Sequence, residues 1–145
     1  MDMSSEDGRG ATLSIVEPVK GDVLGCRLGL GLDAVIARCP GGEVTRGGGG
    51  TVRYSLTQVV GRCAARLRVS YQFVDDALIT VCMNAATEVQ DGLGRHRYQR
   101  VVEEIVQGLG CPATLQDEGY VEYDVGVTRI VCDGLDAMIR FEELP

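Results

Sequence analysis

Three stretches of this chain join an acidic residue to an apolar run of similar pattern. They are residues 33–39 (DAVIARC), residues 76–82 (DALITVC) and, more briefly, residues 136–140 (DAMIR). The runs are short, apolar and bounded by turn-forming residues, which indicates strands. The recurrence predicts an internal repeat in which residues 34–39 and 77–82 are matching strands.

A helical spacing of apolar residues follows each of the first two runs. The first set is Leu56, Val59, Val60, Cys63, Ala64 and Leu67, and the second is Tyr98, Val101, Val102, Ile105, Val106 and Leu109. Both sets fit the i, i+3, i+4, i+7 spacing of one helix face. Ser55 and Gln58 have the spacing of a capping box before the first helix. We therefore expect two helices, one in each repeat.

Strand patterns fill the rest of the chain. Residues 68–74 and 113–116 lead from the predicted helices into acidic turns, and residues 120–125 (YVEYDV) alternate between apolar and polar positions. The dipeptide Asp133-Gly134 predicts a turn between strands at 127–132 and 137–144.

Together these elements predict an α+β fold of the ferredoxin-like type. Two βαβ units, at about residues 33–75 and 76–135, would form a βαββαβ antiparallel sheet with both helices on one face and added terminal hairpin strands. A clamp-like or longin-like duplication is the alternative. We expect a single domain at residues 11–145 after a flexible tail at residues 1–10, which are polar and charged.

Charge and cysteine content restrict the class of protein. The net charge of -7 argues against overall attraction to nucleic acid or to an anionic membrane. No apolar run approaches the ~20 residues that span a bilayer, and the first ten residues do not resemble a signal peptide. The six cysteines show no C-x-x-C spacing. We therefore expect an acidic cytoplasmic protein with reduced, buried thiols.

Basic residues near glycine-rich loops are the candidate ligand-binding site. Arg46 precedes the glycines at 47–50, and a similar loop lies at residues 88–92. The candidates beyond that second loop are Arg95, His96, Arg97 and Arg100. Backbone N–H groups at a helix N-terminus, with arginines nearby, would bind phosphate or carboxylate. The alternative is that these are plain connecting loops and that Arg100 pairs with Glu103 or Glu104 on its own helix.

Catalytic and metal chemistry have weaker support. His96 is the only histidine, so a nucleophile would require Cys82 or Cys111 to approach it in space. Seven acidic residues lie at predicted turns: Asp33, Asp75, Asp76, Asp117, Glu118, Asp133 and Asp136. They could bind Mg²⁺ or Ca²⁺, but bonding to local turn backbone explains them more simply. We predict no metal and no cofactor.

The sequence thus predicts a non-enzymatic binding module that acts through protein–protein contacts or homo-oligomerisation. The oligomer prediction rests on an apolar edge strand at residues 137–144. One alternative is a small-anion or RNA-contacting domain that uses the Gly/Arg loops, although the predicted central strands lack aromatic residues for base stacking. Another alternative is a small enzyme with a cysteine or carboxylate site.

Overall fold

The computed structural model describes residues 16–17, 22–62, 64–85 and 94–145. The helices in these residues are α1 (Leu32–Arg38) and α2 (Gly94–Leu109). The strands are β1 (Val16–Glu17), β2 (Asp22–Val23), β3 (Cys26–Arg27), β4 (Glu43–Arg46), β5 (Thr51–Val60), β6 (Ala65–Val74), β7 (Ala77–Asn84), β8 (Leu115–Asp117), β9 (Tyr120–Val125), β10 (Thr128–Asp133) and β11 (Met138–Glu143).

Strands β4 to β11 form one antiparallel sheet in the order β4-β5-β6-β7-β11-β10-β9-β8. Each half of this sheet is a meander of four consecutive strands, and the last strands of the two meanders, β7 and β11, pair at the centre. Helix α1 precedes the first meander and α2 precedes the second. We call α1 with β4–β7 the first half and α2 with β8–β11 the second half. Strands β1–β3 form a separate small sheet.

The alternation of residue types in β6 explains why only one face of the sheet is buried. Leu67, Val69, Tyr71 and Phe73 are buried, whereas the polar residues between them are partly or fully exposed. Successive side chains of a strand point to opposite faces, so β6 has one apolar face and one polar face. Buried residues in β5, β7, β10 and β11 extend this face over the central strands, whereas the edge strands β4 and β8 have none.

Both helices lie on the buried face of the sheet. Helix α2 lies over β6 and β11, and its Val101 and Ile105 are part of the core. Helix α1 contributes Leu32 and Val35 to the same core. Phe141 of β11 is completely buried, as expected for a central strand that is covered on this side.

The turn between β6 and β7 positions α1. The carboxylate oxygen Oδ1 of Asp76 accepts a hydrogen bond from the backbone N–H of Leu32, at 3.0 Å. This bond satisfies one of the N–H groups that a helix leaves free at its N-terminus. A Cβ atom at Gly31 would lie 3.1 Å from Oδ2 of Asp76, so glycine allows the turn to approach the helix closely.

The ferredoxin-like prediction is wrong. The protein is mostly an eight-stranded antiparallel sheet with two short helices, and its helices and strands do not follow the order βαββαβ. Residues 34–39 were predicted to be a central strand, but most of them belong to α1. The predicted repeat of βαβ units is therefore also wrong. The halves resemble each other in another way, since each is a helix followed by four strands.

The predicted helix at residues 55–67 is β5, a turn and the start of β6. Gly61 and Ala64 in the turn have φ values of 73° and 53°, which a continuous helix does not allow. The apparent helix face mixed both faces of β5, since Leu56 and Val60 are buried whereas Val59 is exposed on the opposite face. The helix predicted at residues 98–109 is confirmed within α2, and β6, β7, β9, β10 and β11 lie close to their predicted positions.

The apolar edge strand from which an oligomer was predicted is not at an edge of the sheet. Residues 137–144 were predicted to be an exposed edge, but β11 pairs with both β7 and β10 near the centre of the sheet. The edge strands are β4 and β8. The tail predicted at residues 1–10 lies outside the described residues.

Candidate functional site

The five residues predicted to bind an anion lie at two separate places. Arg46 is the last residue of β4, at one edge of the sheet, and it is exposed. Arg95, His96 and Arg100 are exposed on α2, and Arg97 is half-buried there. Since α2 lies over β6 and β11, the structure does not bring Arg46 together with the α2 residues.

Two side chains of α2 attach the helix to turns of the sheet. The guanidinium Nη1 of Arg95 donates a hydrogen bond to the carbonyl oxygen of Gly134, between β10 and β11. Both carboxylate oxygens of Glu104 accept the backbone N–H of Arg62, at 2.8 and 3.0 Å. Arg95 therefore has a structural contact, which reduces its availability to a ligand.

The glycines at 47–50 form a hairpin turn between β4 and β5. The N–H of Gly47 donates to the carbonyl oxygen of Thr51 at 2.9 Å, and the Thr51 hydroxyl donates to the carbonyl oxygen of Gly48 at 2.7 Å. A strand follows this turn, so the predicted cluster of N–H groups at a helix N-terminus is wrong for this loop. The similar loop at residues 88–92 lies outside the described residues.

The cysteine–histidine pair is not formed by either candidate cysteine. Cys82 lies between the buried residues Val81 and Met83, so its side chain points away from the face that carries α2 and His96. Cys111 follows the C-terminal end of α2, and the helix rise places it about 20 Å from His96. Burial also raises the pKa of Cys82 above its ordinary value.

Two of the acidic turn residues, Asp117 and Asp133, bond to local backbone, as turn chemistry predicts, whereas Asp76 accepts the N–H of the distant Leu32. Oδ1 of Asp117 accepts the N–H of Glu118 at 2.8 Å. Oδ1 of Asp133 accepts the N–H groups of Leu135 and Asp136, at 3.0 and 3.3 Å. Within the described residues, no group of three or more His, Cys, Asp or Glu side chains is placed to hold a metal ion.

The face of the large sheet that points away from α1 and α2 is the strongest candidate site, and we call it the open face. Both described helices pack against the opposite face of the sheet. One row of cross-strand neighbours on this face is Arg53, Gln72, Thr80, Glu142, Arg129 and Asp124. The adjacent row is Ser55, Ser70, Cys82, Arg140, Val131 and Glu122. Residues directly opposite on neighbouring strands share a face, so these rows form one polar surface.

Charges are unevenly divided between the two halves of the open face. The first half presents three arginines and one glutamate, which are Arg53, Arg66, Arg68 and Glu43. The second half presents five acidic residues and two arginines, which are Asp117, Glu122, Asp124, Asp133, Glu142, Arg129 and Arg140. The open face is therefore net positive on the first half and net negative on the second.

Ion pairs organise the second half of the open face. Arg129 Nε lies 3.1 Å from Oδ1 of Asp124, and Arg140 Nε lies 2.9 Å from Oε1 of Glu142. Val131 lies between these arginines and is only 1% exposed, although it belongs to the open face. The two arginines are thus paired with acidic residues of the same half, and five acidic residues against two arginines leave an acidic excess there.

A groove of about 370 Å³ opens on the first half of the open face. Its lining includes Thr45, Thr51, Arg53, Gln72, Val74 and Ile79. The guanidinium group of Arg53 suits a carboxylate or phosphate, and the side chain of Ile79, 41% exposed, suits an apolar group. These residues are not among the sites predicted from the sequence, although the alternating polar positions of β5 and β6 were a signal that could have found them.

No family model, no curated protein and no solved structure matches this chain. In the part of the chain that the structure describes, no helix is long and apolar enough to cross a membrane. A functional proposal therefore depends on the geometry and charge of the open face.

Proposed function

We propose that this protein is a non-enzymatic binding module that associates with a second copy of itself through the open face. The observation that carries the proposal is the division of charge between the two halves of that face. A surface with one positive and one negative half is complementary to its own copy after a suitable rotation. Such self-complementarity is what a two-fold symmetric dimer requires.

The charge pattern selects one of two possible dimer axes. A two-fold axis parallel to the strands, above the boundary between β7 and β11, would place the first half of one copy over the second half of the other. An axis perpendicular to the strands would place like charges over each other, which is unfavourable. We therefore propose the axis parallel to the strands.

The size of the open face is consistent with a stable dimer. Eight strands at the usual spacing, each about six residues long, cover about 34 Å by 20 Å, or roughly 700 Å² per copy. Standard protein interfaces bury about 800 Å² per partner. Tyr54, Tyr71 and Phe73 belong to the core, so the first half offers no aromatic platform there for RNA bases.

A charge-swap experiment tests the dimer. Arg53→Glu with Arg68→Glu makes the first half acidic, and Asp124→Arg with Glu142→Arg makes the second half basic. We expect each double variant to be a monomer and an equimolar mixture of the two to form a heterodimer, as measured by light scattering. Only a symmetric pairing of first half with second half restores both contacts on mixing.

Arg46→Glu with Arg100→Glu is the matched control. It makes the same change of charge at exposed residues outside the open face, so the dimer should persist at twice 15.5 kDa. It also tests two of the residues that the sequence suggested for anion binding. A native chain that is strictly monomeric at low salt and tens of micromolar concentration would refute the proposed dimer.

A second candidate function is the binding of a small amphipathic anion in the groove beside Arg53. The neighbouring Arg53 and Gln72 side chains and the apolar Ile79 support this alternative. A fatty acid or an acyl phosphate serves as the probe in calorimetry. Binding that is lost in Arg53→Ala and retained in Arg100→Ala would favour it, and an absence of heat with either probe would contradict it.

We also propose a cytoplasmic location. The five cysteines within the described residues, Cys26, Cys39, Cys82, Cys111 and Cys132, are all free thiols. Free thiols are typical of proteins in a reducing compartment.

A further inference from the structure

Two cysteines from different elements meet in the core of the first half. Cys26 belongs to β3 of the small sheet, and Cys39 directly follows α1. Both belong to the same buried cluster, and the Cys26 side chain acts as the hydrogen-bond partner that most lowers the pKa of Cys39. Cys26 is completely buried, whereas Cys39 retains 8% of its surface exposed. Two buried thiols close enough to interact in this way are the starting arrangement for a disulfide.

Cys39 also belongs to a buried polar network. Its Sγ lies 3.6 Å from the hydroxyl oxygen of Tyr71, and that hydroxyl donates a hydrogen bond to Oε1 of Gln58 at 2.8 Å. The Tyr54 hydroxyl donates to the backbone carbonyl of Cys39 and accepts the N–H of Gly42 at 2.9 Å. Polar groups enclosed in an apolar core are held in fixed positions when they bond to one another.

This network changes the acidity of the thiol. The hydrogen bond from Cys26 lowers the pKa of Cys39 to about 6, with further lowering by Tyr71, Gln58 and the charge of Arg38, against the opposing effect of burial. Its place at the C-terminal end of α1 also opposes the thiolate, but a helix of seven residues has a small dipole. By contrast, desolvation alone raises the pKa of Cys132, in the same core, to about 11.

We propose that Cys26 and Cys39 are a peroxide-sensitive pair that forms a reversible disulfide between β3 and the end of α1. Two features support the pair: the Cys26 and Cys39 thiols, from different elements, interact within one buried cluster, and the phenol oxygen of Tyr71 lies 3.6 Å from Sγ of Cys39, the residue of the pair that retains some exposure. The site is separate from the open face, so the proposal does not depend on the proposed dimer.

The reaction is balanced with hydrogen peroxide as the oxidant. The Cys39 thiolate attacks one peroxide oxygen, the O–O bond breaks, and the departing hydroxide takes a proton to become water. Cys39 is then a sulfenic acid. The Cys26 sulfur attacks the Cys39 sulfur, the S–O bond breaks, and hydroxide leaves with the Cys26 proton as a second water. The two thiols lose two electrons in total, and peroxide gains them.

The disulfide would join the small sheet covalently to α1. Backbone hydrogen bonds between Gly29 and Leu78, at 2.7 Å, and between Leu78 and Leu30, at 2.8 Å, already attach this segment to β7. A covalent bond between residues 26 and 39 restricts the unfolded chain between them, which raises stability. The oxidised protein should therefore melt at a higher temperature than the reduced protein, and a thiol reductant should reverse the change.

Peptide mapping of the full chain after treatment with dilute hydrogen peroxide tests the proposal. We expect a cross-linked peptide pair containing Cys26 and Cys39, two hydrogens lighter than the reduced peptides, which a thiol reductant separates. In Cys26→Ser, the reaction should stop at the Cys39 sulfenic acid, trapped by a dione reagent. In Cys82→Ser and Cys111→Ser, the matched controls, the Cys26–Cys39 link should form as in the native chain.

The rate of cross-linking shows whether the reactivity of Cys39 depends on the side chains around it. Tyr71→Phe removes the hydroxyl beside the sulfur and should slow the link at neutral pH at least several-fold, with the difference disappearing near pH 9. Tyr54→Phe removes a hydroxyl that bonds only to the backbone of Cys39 and should leave the rate close to native. Oxidation confined to other cysteines, with residues 26 and 39 recovered as thiols, would overturn the proposal.

Discussion

The hydrogen bond from Leu32 to Asp76 predicts a measurable loss of stability when the carboxylate is removed. Asp76→Ala deletes the acceptor at the N-terminus of α1, and the loss of such a cap costs about 1 kcal/mol. It also places alanine at a φ of 61°, a left-handed conformation that costs about 1 kcal/mol more. We therefore expect a total loss of about 2 kcal/mol in the free energy of unfolding.

Asp75→Ala separates these two costs. Asp75 lies in the same turn with a φ of 52°, but its carboxylate does not accept the Leu32 N–H, so only the conformational cost applies. The variants should differ by about 1 kcal/mol in urea unfolding, or about 2–4 °C in melting temperature. Asp76→Asn keeps an acceptor oxygen and should recover most of the loss. Equal destabilisation by the two alanine variants would refute the capping role.

Three further predictions concern the thiols. Because the pKa of Cys39 is lowered from 9.0 to about 6, the folded state gains stability as the pH rises from 6 to 9. Urea unfolding at several pH values should show this gain in the native chain and lose it in Cys39→Ala. The raised pKa of Cys132, about 11, acts in the opposite sense, so its contribution is lost as the pH rises from 9 through 11. The proposed dimer places Cys82 of both copies beside the two-fold axis, so a bismaleimide with a spacer of about 10 Å, the usual distance between packed sheets, should join two chains. The product should disappear in Cys82→Ser and persist in Cys111→Ser, and the reverse result would contradict the proposed axis.

The sequence predicted those elements whose apolar pattern fits one period only. The apolar spacing at residues 98–109 fits a helix, and the alternation at residues 120–125 fits a strand, and both are confirmed. Residues 32–39 fit both a strand and a helix. Their apolar run is typical of a strand, but Leu32, Val35, Ile36 and Cys39 also follow the i, i+3, i+4, i+7 spacing of a helix. The structure has α1 there, capped by an aspartate 44 residues away. A cap that is distant in sequence gives no local signal.

The open face could be predicted only in part. Alternation in β5 and β6 indicates which residues share a face of a strand. To predict the division of charge, one must also know the order of the strands in the sheet. That order depends on the pairing of β7 with β11, which are separated along the chain by α2 and strands β8 to β10. The contact between Cys26 and Cys39 depends on how the small sheet packs against α1, which spacing along the chain does not reveal.

The DAΦI runs at residues 76–79 and 136–139 have the same place in the two halves, where each begins the last strand of its meander. The turn before β7 bonds to the N-terminus of α1 through Asp76, and the turn before β11 bonds to the first turn of α2 through the Gly134 carbonyl and Arg95. In each half, therefore, the turn before the last strand is joined by a hydrogen bond to the N-terminal turn of the helix of that half. Among the described strands, the sheet joins the halves only where β7 pairs with β11. An arrangement of two similar halves around that central pair allows opposite charges to accumulate on either side of it, which is the condition that the proposed symmetric dimer needs.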